Sequence, residues 1–313
     1  MSERFNRAKN GDIDAMFEIA VEFQKRRFHE EAKSWYLKAI EKGHLDAAFR
    51  MGDLLYHQGE VENSIPYLQR AYDGGHEEAQ FVLALALRDN GEFENAEKML
   101  KQLIEQGVGQ AVHELGVLYI AKGEFEKGVY WIELSADSGN VHSMDLLPNL
   151  YLEKNDVKNA IRFLKRFIEK DHATSAISYG LLLDDNGDTT AIDFLEKGLQ
   201  LGYPKAELVL GNFHFIHENY ELSEEFFRRA LSKSRSLEGT LGLGVLLCEM
   251  DAPEEGLVLL KEAAEYGSIE ALYNIGVIYY TLGKKIEAEE WLQKAISAGD
   301  EEAKNFYSEN YDK

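Results

Sequence analysis

Cysteine occurs once in 313 residues, at Cys248, which excludes an internal disulfide and points to a reducing compartment. Proline occurs only four times, and no Pro-rich, Ser-rich or low-complexity stretch divides the chain. The opening MSERFNRAKNGDIDA holds no apolar segment, and nowhere is there an apolar run of about 18 residues, the length a membrane helix needs. The chain is therefore expected to be soluble and cytoplasmic. Positive charge is scarce as well: 34 Lys plus Arg stand against 56 Asp plus Glu, a net charge of −22. Long-range repulsion then disfavours nucleic acid and anionic membranes as partners and favours a basic one. The competing explanation is that acidity only keeps an elongated surface soluble.

Signatures of catalysis are missing too. There is no phosphate loop, GxSxG elbow, HExxH or dinucleotide fingerprint. Gly239, Gly242 and Gly244 in EGTLGLGV lie inside a helical pattern with no preceding strand, so they have no scaffold on which to cradle a phosphate. His214 and His217 sit at i and i+3, yet no further Cys or His stands at a ligand spacing. Cys248 has no sequence-local base and reads as a small apolar filler. Neither an enzyme nor a metal or cofactor site is expected.

What the chain does have is a period. Gly11, Gly43, Gly75, Gly107 and Gly139 follow one another at steps of 32, Asp171 keeps the beat, Gly202 comes one residue early, and Gly267 and Gly299 restore the spacing after an irregular unit around residues 234–239. The units run 11–42, 43–74, 75–106, 107–138, 139–170, 171–201, 202–234, 235–266 and 267–298, with a capping helix at 299–313. Within 43–74, Ala47, Met51, Leu54 and Leu55 mark one face of a first helix, and Ile65, Leu68 and Ala71 one face of a second. Between the two helices a residue that tolerates left-handed backbone recurs: Gly59, Gly91, Gly123, Asn155, Gly187 and Gly283.

Small residues recur where the two helices must touch. The first-helix series is Ala20, Gly52, Ala84, Gly116, Pro148, Gly180, Gly211, Gly244, Gly276, and the second-helix series is Ala32, Ser64, Ala96, Gly128, Ala160, Ala191, Ser223, Gly256, Ala288. Large partners such as Tyr36, Leu68, Ile132, Phe227 and Leu260 stand beside them. Pro148 lacks an N–H and clashes one turn back, so its helix is expected to kink or to start late.

The stretch MGDLLYHQGEVENSIPYLQRA (51–71) resembles the tetratricopeptide signature, with Gly52, Leu55, Ser64 and Ala71 at its four defining places. KSWYLKAIEKGHLDAAFRMG (33–52) and EEWLQKAISAGDEEA (289–303) resemble the Sel1-like variant instead. The resemblance implies an all-α fold: one continuous right-handed α-solenoid of about nine helix-turn-helix repeats, with a concave groove lined by first helices. Carried over position by position, it implies groove residues Asp14, Phe17, Asp46, Phe49, Asp53, Tyr56, Glu78, Phe81, Asp89, Asp145, Asn149, Asp184, Asn212, Phe215, Glu270, Tyr273 and Tyr280.

The same groove positions hold twelve acids (Asp14, Asp46, Asp53, Glu78, Asp89, Asp145, Glu153, Asp184, Asp185, Glu238, Glu249, Glu270) against three bases (Lys25, Arg88, Lys205), a larger excess than the chain's 56 to 34. Phe17, Phe49, Phe81 and Tyr56 add an aromatic stripe, which ordinary contact between adjacent first helices would also explain. Two basic runs, from Lys154 to Lys170 and from Arg228 to Arg235, lie on second helices, where solvated faces explain them. The leading expectation is an adaptor holding a basic, partly apolar peptide or protein segment. An inhibitor or immunity-type protein capping a basic toxin or nucleic-acid enzyme is the alternative, and a scaffold without a groove a third.

Because stability in such an array is a sum of unit and nearest-neighbour terms, deleting residues 75–106 whole should leave a folded helical protein, whereas deleting half of them should not. Far-UV circular dichroism of the two deletion variants checks this.

Overall fold

The structure is a computed structural model that describes residues 2–311. The described residues form twenty α-helices and no strand. Contacts divide the chain into two compact units, Met1–Ala160 and Ile161–Lys313. The first holds α1 (Ser2–Lys9), α2 (Ile13–Lys25), α3 (His29–Glu41), α4 (Leu45–His57), α5 (Val61–Asp73), α6 (Ala79–Asp89), α7 (Phe93–Glu105), α8 (Gln110–Ala121), α9 (Phe125–Asp137) and α10 (Val141–Glu153). The boundary falls within α11 (Val157–Ile168). The second holds α12 (Ala173–Asp185), α13 (Ala191–Gln200), α14 (Ala206–Ile216), α15 (Tyr220–Lys233), α16 (Leu237–Glu249), α17 (Pro253–Glu265), α18 (Ile269–Thr281), α19 (Lys285–Ser297) and α20 (Glu301–Tyr311). From α2 onward, even-numbered helices are the first helix of a repeat and odd-numbered ones the second, so nine pairs lie between α1 and α20.

Each first helix starts at a fixed place in the period, and a side chain often ties it. Asp12, His44, Asn140, Ser236, Ser268 and Asp300 accept the backbone N–H of Ala15, Ala47, Ser143, Gly239, Ala271 and Ala303 at 2.9–3.2 Å. These acceptors satisfy N–H groups that a helix start otherwise leaves without partners. The end of each first helix is fixed by a residue at positive φ: Gly59, Gly91, Gly123, Asn155, Gly187 and Gly283 as expected, and also Arg27 (63°), Glu218 (59°) and Asp251 (60°), which no Gly or Asn marks. Those three hold the strained conformation because the turn closes around it, through Phe28 N–H to Phe23 O at 3.0 Å, Asn219 N–H to His214 O at 2.8 Å and Ala252 N–H to Leu247 O at 2.9 Å.

Within a pair the helices meet at the small residues. A Cβ on Gly52 would stand 2.6 Å from Leu68 Cγ, one on Gly128 2.9 Å from the Gly116 carbonyl oxygen, and one on Gly256 2.5 Å from the Gly244 carbonyl oxygen. Ser223 fits the same site by donating its hydroxyl to Gly211 O at 2.8 Å. The large neighbours Tyr36, Leu68, Leu100, Ile132, Leu195, Phe227, Leu260 and Leu292 are all buried. Pro148 does not delay its helix: α10 begins at Val141, capped by Asn140, and continues to Glu153. A proline forfeits its own N–H and crowds one carbonyl, and a helix tied at its start tolerates that loss.

Two substitutions of opposite sign test this packing. Gly256→Ala should destabilise by about 1–3 kcal/mol, since neither backbone can retreat from the added carbon. Glu218→Gly should stabilise by about 1 kcal/mol by relieving the left-handed strain. Shifts in thermal unfolding midpoint read both.

Candidate functional site

In the first unit the groove positions form rungs between successive first helices. Phe17 of α2 stacks on the ring of His44 with centroids 4.5 Å apart, and Phe49 of α4 stacks on His76 at 4.2 Å. His44 Nδ1 accepts the Ala47 N–H, so in the neutral ring the proton sits on Nε2. That nitrogen lies 3.7 Å from Asp14 Oδ1, and His76 Nε2 lies 3.4 Å from Asp46 Oδ1. Stacking leaves Phe17 half-buried, but Phe49 is only 6% exposed and belongs to the core. Its register position suggested a ligand contact; packing against the next cap makes it structural.

One helix further on, the groove floor is a closed polar network. The Tyr56 hydroxyl donates to Asp89 Oδ2 at 2.6 Å, Arg88 Nε donates to the other Asp89 oxygen at 2.8 Å, and Arg88 also pairs with Glu114 on α8. Burial, assisted by Asp89, pushes the Tyr56 phenol up to about 12. Asp53 faces His57 at 3.3 Å. His113 meets the Ser143 hydroxyl at 2.7 Å, and Asn149 turns back to donate to Asp145 O at 3.0 Å. Left open is a hollow of about 550 Å³ bounded by Phe17, Asp46, Phe49, Arg50, His76, Glu77 and Glu78. Asp14, Asp46 and Glu78 are exposed at or near it, and Phe81 is half-buried on α6.

The second unit offers less. Asp184 is held by His217 at 2.7 Å, and Phe215 packs against Tyr220 with ring centroids 6.0 Å apart. Asn212 and Glu270 are exposed but stand on different repeats. Tyr273 and Tyr280 lie against Phe306 of α20 at 6.2 and 5.3 Å, and the Tyr280 hydroxyl donates to Asn310 at 3.1 Å. The last helix therefore occupies the surface these two tyrosines would present.

Models of the tetratricopeptide repeat match residues 17–79, 81–141 and 269–298. Among solved structures, a Sel1 repeat protein from Oxalobacter formigenes aligns with 99% of this chain and 90% of its own at 17% identity and a TM-score of 0.50. A protective antigen of uropathogenic Escherichia coli strains, displaying an SLR fold, aligns with 98% of this chain and 82% of its own at 19% identity and a TM-score of 0.48. No curated protein matches. These stretches carry tetratricopeptide repeats, and the fold is that of a tetratricopeptide/Sel1-like repeat protein. Such repeats are typical of protein–protein interaction scaffolds and are generally non-catalytic.

Several side chains of this repeat protein take roles that sequence position did not reveal. Arg50, His76 and Glu77 line the hollow although they lie outside the contact register. His44 and His76, which look like filler at a repeated loop position, are the stacking partners of the aromatic stripe. Each aromatic and its histidine are 27 residues apart, so no local sequence pattern joins them. His214 is buried flat against Phe226 while His217 turns to Asp184, so the two do not converge. Among the described residues no group of three His, Cys, Asp or Glu side chains could hold a metal, and no helix is long and apolar enough to cross a membrane. Burial pushes the Cys248 thiol up to about 11, with Glu249 adding to the effect. In the second basic run Arg228 pairs with Glu224 and Glu255, and Arg235 with Glu262, as solvated helix faces require.

Burial lowers the basicity of His113, against the pull of Glu114 and helped by His142 and Arg88. A histidine depressed in the folded state takes its proton first in the unfolded chain. Its contribution to stability is therefore complete above about pH 6.5 and is lost as pH falls through the folded value. Denaturant midpoints of the wild type should fall faster between pH 7 and 5 than those of His113→Gln; parallel curves would contradict the assignment.

Proposed function

We propose that this repeat protein is a non-enzymatic adaptor that holds a basic, partly apolar segment of another protein or peptide against α2, α4 and α6. The observation that carries this reading is the open hollow of about 550 Å³, whose apolar floor is the half-buried Phe17 beside the core residue Phe49 and whose rim is Asp46, Glu77 and Glu78 against the single cation Arg50. Acids at an exposed rim raise the encounter rate of a cationic partner, and apolar surface beneath holds it once water is expelled. The net charge of −22 acts in the same direction over longer range and against nucleic acid or an anionic membrane. The single cysteine fits work in a reducing, intracellular compartment.

The test uses a fluorescent peptide of alternating lysine and leucine, with a glutamate–leucine peptide as the control. Raising salt from 50 to 200 mM should weaken binding of the lysine peptide by about tenfold. Asp46→Asn combined with Glu78→Gln should slow association about threefold or more, while Phe17→Ala should chiefly speed dissociation. Equal binding of the glutamate peptide, or association unchanged in the double variant, would reject the proposal.

A further inference from the structure

Nine of the ten connections that lead from one repeat into the next are closed turns. Each has a residue at positive φ: Gly11, Gly43, Gly75, Gly107, Gly139, Asp171, Gly202, Gly267 or Gly299. Each is also locked by a backbone bond reaching back five residues, as in His44 N–H to Ala39 O at 3.1 Å and Ser268 N–H to Ala263 O at 3.0 Å. The connection from α15 to α16 has neither. Ser234 (φ −156°, ψ 122°) and Ser236 (φ −114°, ψ 147°) are extended, Ser234 N–H still bonds to Ala230 O, and the backbone N–H groups of Arg235 and Ser236 make no backbone bond. This connection lies in the irregular unit around residues 234–239, where no residue of the glycine series stands.

We propose that residues 233–236 are a processing site for an endoprotease that cleaves after lysine or arginine. Such enzymes bind their substrate as an extended strand, so a helical bond must unwind before it can be cut. Here residues 234–236 are already drawn out; Arg235 lies on them and Lys233 ends the helix immediately before, with side chains 71% and 65% exposed. Hollows of about 460 and 290 Å³ flank the connection and share Arg235 and Thr240, so space adjoins it on two sides. Arg235 pairs with Glu262 on the surface, where salt loosens the contact, whereas Lys233 pairs with the buried Glu207 and is held more firmly, which favours Arg235 as the residue cut after. In the reaction water adds across the Lys233–Ser234 or Arg235–Ser236 amide, leaving a carboxylate on the basic residue and an amine on the serine.

Cutting here does not release the pieces. Phe227 of α15 is buried, 2.7 Å from where a Cβ on Gly242 of α16 would stand and 2.8 Å from one on Gly211 of α14. Packing across the nick thus holds α14, α15 and α16 together.

The experiment is brief trypsin digestion of the full chain under native conditions, with fragments identified by mass spectrometry. Cleavage after Lys233 or Arg235 should precede every other cut by about tenfold or more, and the nicked protein should still elute as one species. In Lys233→Gln with Arg235→Gln, trypsin should no longer cut there, whereas an elastase-type protease should still open the same connection first. A first trypsin cut elsewhere would overturn the proposal, as would an elastase-type cut beginning at one of the glycine turns.

Discussion

Close approach of the two helices in each repeat is the constraint on which everything else rests. At Gly116 and Gly128, and again at Gly244 and Gly256, backbone meets backbone, and an added methyl would collide with a carbonyl oxygen. This proximity lets one large side chain, such as Ile132 or Leu260, bury itself completely beside the contact. Helices of 10–14 residues are marginal alone; their stability comes from this interlocking and from the next pair.

Terminal chemistry then converts packed pairs into a regular array. A capping side chain at the start of a first helix and a left-handed residue at its end leave the chain little freedom in direction, so groove positions recur in space as they recur in sequence. Between α15 and α16 the start of the first helix is still capped by Ser236, but the left-handed turn that closes every other repeat-to-repeat connection is missing, and the connection stands open. Regularity here is thus a property of turns as much as of core residues.

The acidity of the groove is less free than its count suggests. Asp46 and Asp53 face imidazoles, Asp184 is bonded to His217, and Asp89 is engaged by Tyr56 and Arg88. A carboxylate that is both answered by a neighbour and largely covered, as Asp53, Asp89 and Asp184 are at 20–34% exposed, contributes less to attracting a partner than one still facing water. Asp14 and Asp46 keep side chains 84% and 60% exposed beside their imidazoles, so with Glu78 they carry the useful field around the N-terminal hollow.

Period, helix type, packing sites and most turn residues were legible in the amino-acid sequence, because each is local: an amphipathic face, a glycine that can take positive φ, a small residue at a constant offset. By itself the sequence therefore determined that this is a helix-turn-helix repeat protein, and it marked the irregular unit near Ser234. Tertiary structure alone decided which carried-over groove positions remain available. Phe49 is consumed by its stack with His76, Tyr273 and Tyr280 by α20, and Arg27, Glu218 and Asp251 are forced into a conformation their side chains do not favour. The reason is common to all of them: exposure and strain depend on what a neighbouring helix about 30 residues away brings into contact, and a repeat register counts positions without knowing what will stand opposite them.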